Sequence, residues 1–278
     1  MFRIVKRAWF IVAAVPLFWL GSCARQDAQA QTSSNARRHA QTKQELDDYH
    51  AAGAASGGAA REQAAIAFAQ KHPQSELRSL LFSKAMRDYQ RENNANGMLS
   101  TGQAVLAIDA NDPQALVLTA TVMADNLGPE DSDRDHKIAA IKKNINRALQ
   151  IVNVGAPGPG TVPNGTEALY KSTLQSMSYS ALGLMRLKTG DYAEAERDLK
   201  AAVERAAARP DPFVWYHLAL AQDHRKRYTA ALNSVEQALQ LASANPELQK
   251  LAETEHDRLS RLLGRSKEPA EGATQSPR

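Results

Sequence analysis

Residues 179–202 read YSALGLMRLKTGDYAEAERDLKAA, and residues 215–238 read WYHLALAQDHRKRYTAALNSVEQA. Tyr179, Leu182, Gly183, Tyr192, Ala195, Leu199 and Ala202 of the first stretch correspond to Trp215, Leu218, Ala219, Tyr228, Ala231, Val235 and Ala238 of the second, 36 residues on in every case. Apolar residues at three- and four-residue steps, on both sides of a polar break, describe two amphipathic helices joined by a turn. A unit of this size cannot bury its apolar face alone, so its repetition predicts a stack of helix pairs. Such a stack is all-α and presents an extended surface.

Working outward, prolines mark where pairs begin. Pro73, Pro113, Pro210, Pro212 and Pro246 each fall between one pair and the next, where a first helical turn tolerates proline. Asp112 and Asn245 precede two of them as N-caps. Leu81 and Ala85 stand 35 residues before Leu116 and Ala120, and Gly97, Thr101 and Ala104 repeat the spacing of Ala195, Leu199 and Ala202, so a degenerate earlier pair is predicted. Ile138, Ile141, Ile145, Ala148, Leu149 and Val152 form one helical stripe. Residues 41–72 read as a weaker first pair, interrupted by Gly53, Gly57 and Gly58. Pro246–Leu263 reads as a final capping helix with Gly264 as its stop. From Ala120 to Gly183 the period is exceeded by 27 residues, an excess assigned to surface loops at Leu127–Asp135 and Asn153–Thr166.

These residues resemble the tetratricopeptide repeat. Tyr179-x2-Leu182-Gly183, Gly190-Asp191-Tyr192 and Ala195-x3-Leu199-x2-Ala202 follow its pattern, and Trp215 to Ala238 follows it again. Arg186 and Gln222 stand where the family often has tyrosine, and Pro210 and Pro246 come a few residues late. The Lys71-His72-Pro73-x-Ser75 junction resembles repeats of bacterial envelope lipoproteins. The resemblance implies a right-handed superhelix of antiparallel helix pairs over residues 41–264, with the first helix of each pair lining the concave face. Carried onto this chain, it puts Phe82, Met86, Tyr89, Met177, Leu184, Lys188, Phe213, Tyr216, Leu220, Asp223 and His224 on a partner-binding groove. Several of these, Leu184 and Leu220 foremost, read equally well as core between repeats. The groove lacks the repeated Lys/Asn/Arg set that clamps a peptide carboxylate, so an apolar or helical protein segment is the expected ligand.

The front of the chain bears on location. Arg3, Lys6 and Arg7 precede an uncharged apolar run from Ala8 to Leu20 that contains Pro16. Its length as a helix is about 20 Å, short of the roughly 30 Å needed to span a membrane. This is the layout of a secretory signal, residues 1–22. Leu20-Gly21-Ser22-Cys23 resembles the lipobox of bacterial lipoproteins, which makes Cys23, the single cysteine, a lipidation site. Ala28-Gln29-Ala30 offers an alternative cut that leaves an unanchored periplasmic protein. Ala24 carries no acidic retention signal, so the lipoprotein resemblance implies the outer membrane, facing the periplasm. Residues 23–40 read as a flexible tether and 265–278 as a polar tail.

The chain holds 34 basic and 30 acidic residues; without the signal's Arg3, Lys6 and Arg7 the balance is 31 against 30. That near-neutrality argues against nucleic acid or an anionic membrane surface as partner. One cysteine excludes an internal disulfide framework. G-x-S-x-G, H-E-x-x-H and a phosphate loop are all missing, so neither a catalytic residue nor a cofactor or small-molecule substrate is assigned. Asp131-x-Asp133-x-Asp135 begins like a calcium loop, but His136 and Lys142 occupy the required glycine and glutamate. His217 and His224, seven apart, are too widely spaced for a usual metal pair and read as groove lining. The expectation is a non-enzymatic scaffold for a protein or peptide of the envelope, attached to the membrane by lipid alone; the alternatives are an unanchored periplasmic assembly factor or chaperone and, third, an enzyme with unrecognised chemistry.

Overall fold

Pro212 opens a helix because its missing N–H is one that a first turn leaves unbonded anyway. Asp211 before it accepts from the Phe213 N–H at 2.9 Å. Two other starts use the same device: Asp112 accepts from the Ala115 N–H at 2.9 Å ahead of Pro113, and Asn245 from the Leu248 N–H at 3.0 Å ahead of Pro246. The structure, a computed structural model, describes residues 39–154, 167–206 and 211–267. Among these are eleven α-helices and no strand: α1 (Lys43–Gly53), α2 (Gly58–Lys71), α3 (Leu77–Arg91), α4 (Ala95–Ile108), α5 (Pro113–Asp125), α6 (Arg134–Val154), α7 (Glu167–Thr189), α8 (Tyr192–Arg205), α9 (Pro212–His224), α10 (Tyr228–Leu241) and α11 (Pro246–Lys267).

Consecutive helices pack in pairs, α1 with α2 through α9 with α10, and the second helix of each pair packs on the first of the next. α11 closes the series against α10. First helices also touch one another: α1 meets α3, α5 lies along α7, and α7 meets α9, whereas α3 and α5 make at most marginal contact. Apolar stripes fill the seams. Ile141, Ile145 and Ala148 of α6 are fully buried with Val117 and Ala120 of α5 and Met185 of α7.

Small residues set how closely a pair approaches. A methyl group built on Gly183 would lie 2.5 Å from Cγ of Leu199 and 3.3 Å from its backbone N, so α7 and α8 meet at a point that admits only hydrogen. In the first two pairs the same role falls to Gly58 and Gly97, which flank the ring of Tyr89 so tightly that a Cβ on either would overlap it. Where the repeat pattern departs from tyrosine, a polar bridge crosses the pair. Arg186 donates to Asp198, and 36 residues on Ser234 donates to Gln222 at 2.8 Å. Glu196 of α8, fully buried, is held by Lys200 and by Arg225 and Arg227 from the turn after α9.

Two expectations need correction. Gly264 does not stop the last helix: α11 runs on to Lys267, and Gly264 sits exposed with nothing within 4 Å of an added Cβ. The 27-residue excess is not confined to loops. α7 starts at Glu167, nine residues earlier than the register of α9 puts it, an extension of about 14 Å at 1.5 Å per residue. The first pair, interrupted by glycines in the sequence, is two true helices; Gly57, at φ 82°, makes the turn between them. Residues 1–38 with Cys23 and the signal, the Gly155–Gly160 stretch and the rest of 155–166, Pro210, and the tail from 268 lie outside the described residues. No helix among the described residues is long and apolar enough to cross a membrane.

Candidate functional site: the face of the first helices

The eleven residues that the repeat pattern assigns to a groove divide sharply in the structure. Phe82, Met86 and Leu184 are buried in the core, and no partner reaches them in the folded chain. Tyr89 is buried too, because Gly58 and Gly97 open a slot for its ring; its hydroxyl donates to Glu62 of α2 at 2.6 Å. That carboxylate and burial push the Tyr89 hydroxyl up to about 12. All four are therefore packing residues. Met177 is half-buried and packs against two cores, one built from α1–α5 and one from α5–α7.

At the C-terminal end the assigned residues already hold partners. Asp223 pairs with Arg258 of α11 at 2.7 Å, and Tyr216 packs into the cluster that α11 completes with Ala252 and Leu259. His224 stacks flat on Tyr192 at the start of α8, ring centroids 4.1 Å apart and planes 4° from parallel. Leu220 is half-buried. Phe213 stands open, 39% exposed, and Lys188 is exposed beside Asp125 and Asp131. His217 lies beside Phe213, centroids 6.4 Å apart, and does not converge with His224. Among the described residues no three metal-binding side chains come together. Asp131, of the aborted calcium loop, accepts from the Gly128 N–H at 2.9 Å and from Lys137 at 3.0 Å.

A second set of residues, missed in the sequence, shares this face. Arg87 of α3 reaches Gln114 of α5 at 3.4 Å. Lys188 of α7 donates to the main-chain carbonyl of Asp125, the last residue of α5, while Arg134 caps the Lys188 carbonyl at 2.8 Å. Burial shifts several titrating groups around these contacts. It pushes Arg87 and Lys188 down, Asp125 and Asp211 up, and Tyr170 up. His217 falls to about 4, through burial and then the nearby charge of Lys188. Yet Arg87, Asp125, Lys188 and Asp211 are all exposed to solvent. Crowding by neighbouring protein leaves such a side chain poorly hydrated, which disfavours its charged form.

The contributors are the first helices of four successive pairs: Arg87 from α3, Gln114 and Asp125 from α5, Tyr170, Met177 and Lys188 from α7, Asp211, Phe213 and His217 around α9. The groove assigned from the sequence draws on α3, α7 and α9 of these helices, mostly at other turns. A signal for Asp125 was present, since it is the one charge on a helix that is otherwise apolar or small; Arg87 is one of several charges on α3 and had none. Such a surface offers an exposed ring, a thioether and poorly hydrated polar groups, the mixture from which binding faces are built. Comparison with known protein families, with curated proteins and with solved structures finds no match to this chain.

Proposed function

We propose that this chain is a tetratricopeptide-like array that holds a protein or peptide partner against the face shared by α5, α7 and α9. The observation that carries the reading is the meeting of Asp125, Lys188 and His217, from α5, α7 and α9, beside the exposed ring of Phe213. The 36-residue period and the close contact at Gly183 support the repeat, and the succession of pairs supports a stack of helix pairs; the right-handed superhelix is what the tetratricopeptide resemblance implies. The work is binding, not catalysis.

The signal-like start and Leu20-Gly21-Ser22-Cys23 support a place for this activity in the bacterial envelope. A lipid on Cys23 would tether the array to the periplasmic face of the outer membrane; each buried CH₂ of an acyl chain contributes ~0.8 kcal/mol, so several chains together hold a soluble domain firmly. The competing cut after Ala30 yields the same array free in the periplasm. Radiolabelled palmitate separates them. Wild-type protein should incorporate label and Cys23→Ala should not; an unlabelled wild-type protein beginning at Gln31 contradicts the anchor. Binding is tested with Phe213→Ser combined with Lys188→Glu. The double variant should keep its helicity and lose the adduct that chemical crosslinking in intact envelopes gives wild type. An undiminished adduct moves the binding face elsewhere on the array.

A further inference from the structure

The turn inside a helix pair repeats one backbone geometry with very different side chains. Its middle residue has positive φ in three pairs: Asn93 at 53°, Gly190 at 81° and Lys226 at 60°. In each, the next N–H donates to the carbonyl five residues back, Asn94 to Tyr89, Asp191 to Arg186 and Arg227 to Gln222, all at 2.9 Å. This is the left-handed helix ending that glycine fills best and asparagine next. Around the middle residue the sequence changes from Glu92-Asn93-Asn94, through Thr189-Gly190-Asp191, to Arg225-Lys226-Arg227. The turn itself therefore requires no cation. Lys226 occupies it at a conformational cost that glycine would remove.

The flanking arginines are fixed in place. Arg225 and Arg227 each donate to the carboxylate of Glu196, one to each oxygen, and Lys200 reaches the same group at 2.7 Å. Glu196 is buried, whereas Arg225, Lys226 and Arg227 are exposed. One negative charge thus gathers three positive ones, and Lys226 adds a fourth. Nearby acids are already engaged: Glu194 and Asp198 pair with Arg186 and Arg197, and Asp223 with Arg258. Two guanidiniums on one carboxylate repel each other, and each has most of its N–H donors unused by Glu196. A second carboxylate relieves that repulsion and matches the planar fork of the guanidinium.

We propose that the Arg225-Lys226-Arg227 turn, with Lys200 beside it, is a second contact surface that takes an acidic segment of a protein partner, whose carboxylates bridge the arginines and Lys226. The turn lies about 18 Å along α9 from Phe213, at 1.5 Å per residue, so it adds to the face of the first helices and stands independently of it. A flat anionic membrane is the poorer fit. It would also meet Asp191 and Glu204, exposed toward the two ends of α8, whereas a peptide reaches the cations alone.

A fluorescent glutamate-rich peptide and its glutamine counterpart, titrated into the full chain at low salt, test this by anisotropy. The glutamate peptide should bind, more weakly as salt is added, and the glutamine peptide should not. Arg225→Gln should weaken binding roughly tenfold, the loss of a charge-assisted hydrogen bond. Lys226→Gly should weaken it roughly threefold, the loss of an exposed ion pair, and should at the same time raise the melting temperature by relieving the backbone. Lys142→Gln, on an exposed lysine of α6, and Phe213→Ser should leave the affinity unchanged. A more stable Lys226→Gly protein that binds the peptide as wild type does overturns the proposal. So does equal weakening by Lys142→Gln, or a glutamate peptide bound no tighter than the glutamine one. Binding to phosphatidylglycerol vesicles without binding to the peptide also overturns it, in favour of a lipid surface.

Discussion

Replacing glycine by alanine at three helix-associated positions should give three different outcomes, each set by local geometry. At Gly183 the new methyl would meet Leu199 Cγ at 2.5 Å and Cδ2 at 2.8 Å. These atoms belong to a side chain that is itself fully buried, and the Leu199 backbone N lies 3.3 Å away, so relief requires α8 to move. Overpacking of this kind typically costs ~1–3 kcal/mol, and contact with a branch atom close to the backbone puts Gly183 near the top of that range. Alanine's helix propensity returns about 1 kcal/mol. The expected net loss is about 2 kcal/mol, which for a domain of this size lowers Tm by roughly 4–8 °C. Gly264, exposed in α11 with open space around it, should instead gain about 0.5–1 kcal/mol on becoming alanine. Gly190 has equal space but φ of 81°, so alanine there should lose ~1–2 kcal/mol to backbone strain. Urea unfolding followed by far-UV circular dichroism measures all three. Leu199→Ala removes the obstructing atoms, so in that background Gly183→Ala should turn from destabilising to stabilising. If Gly183→Ala stabilises the wild-type chain as Gly264→Ala does, the close crossing of α7 and α8 is wrong, and the repeat register with it.

His217 has a folded pKa of about 4 against roughly 6.5 in an unfolded chain, so stability should be lost as pH falls through that window. After discounting for partial exposure, His217→Asn should remove about 1–2 kcal/mol of that loss, read as the difference between variant and wild-type unfolding curves at pH 7 and pH 4.5. Glu196→Ala leaves Lys200, Arg225 and Arg227 facing one another without their buried carboxylate; about 2 kcal/mol of destabilisation, falling with added salt, is expected in thermal melts. Phe82→Ala should destabilise by ~3–5 kcal/mol because the ring is core, whereas Phe213→Ala should leave the melting temperature within a degree or two.

The parts of this fold legible in the sequence are those written in local periodicity. Pro113, Pro212 and Pro246, with their capping acids and asparagine, mark helix starts that the structure repeats residue for residue, and the 36-residue echo marks the Gly183 crossing and its register. What escaped was set by contacts distant in sequence. Tyr89 looked like a groove residue because its helix position permitted it; only the approach of Gly58 and Gly97 from two other helices shows that its ring is enclosed. Asp223 and Tyr216 turned toward α11, whose exact placement against α9 no pattern encodes. The early start of α7 was hidden because Glu167–Ser178 carries too few large apolar residues to announce a helix, and its order comes from packing beside α6. Asp125, Lys188 and His217 became visible as a set only when α5, α7 and α9 brought them together.

Site-specific photocrosslinking in intact envelopes tests the central claim most directly. A photoreactive amino acid at Phe213, on the proposed binding face, should give a discrete adduct with one partner. The same probe at Lys142, exposed on the second helix of its pair, should give none. A partner adduct at Lys142 with none at Phe213 would contradict the account, because it would put the binding surface on the second helices.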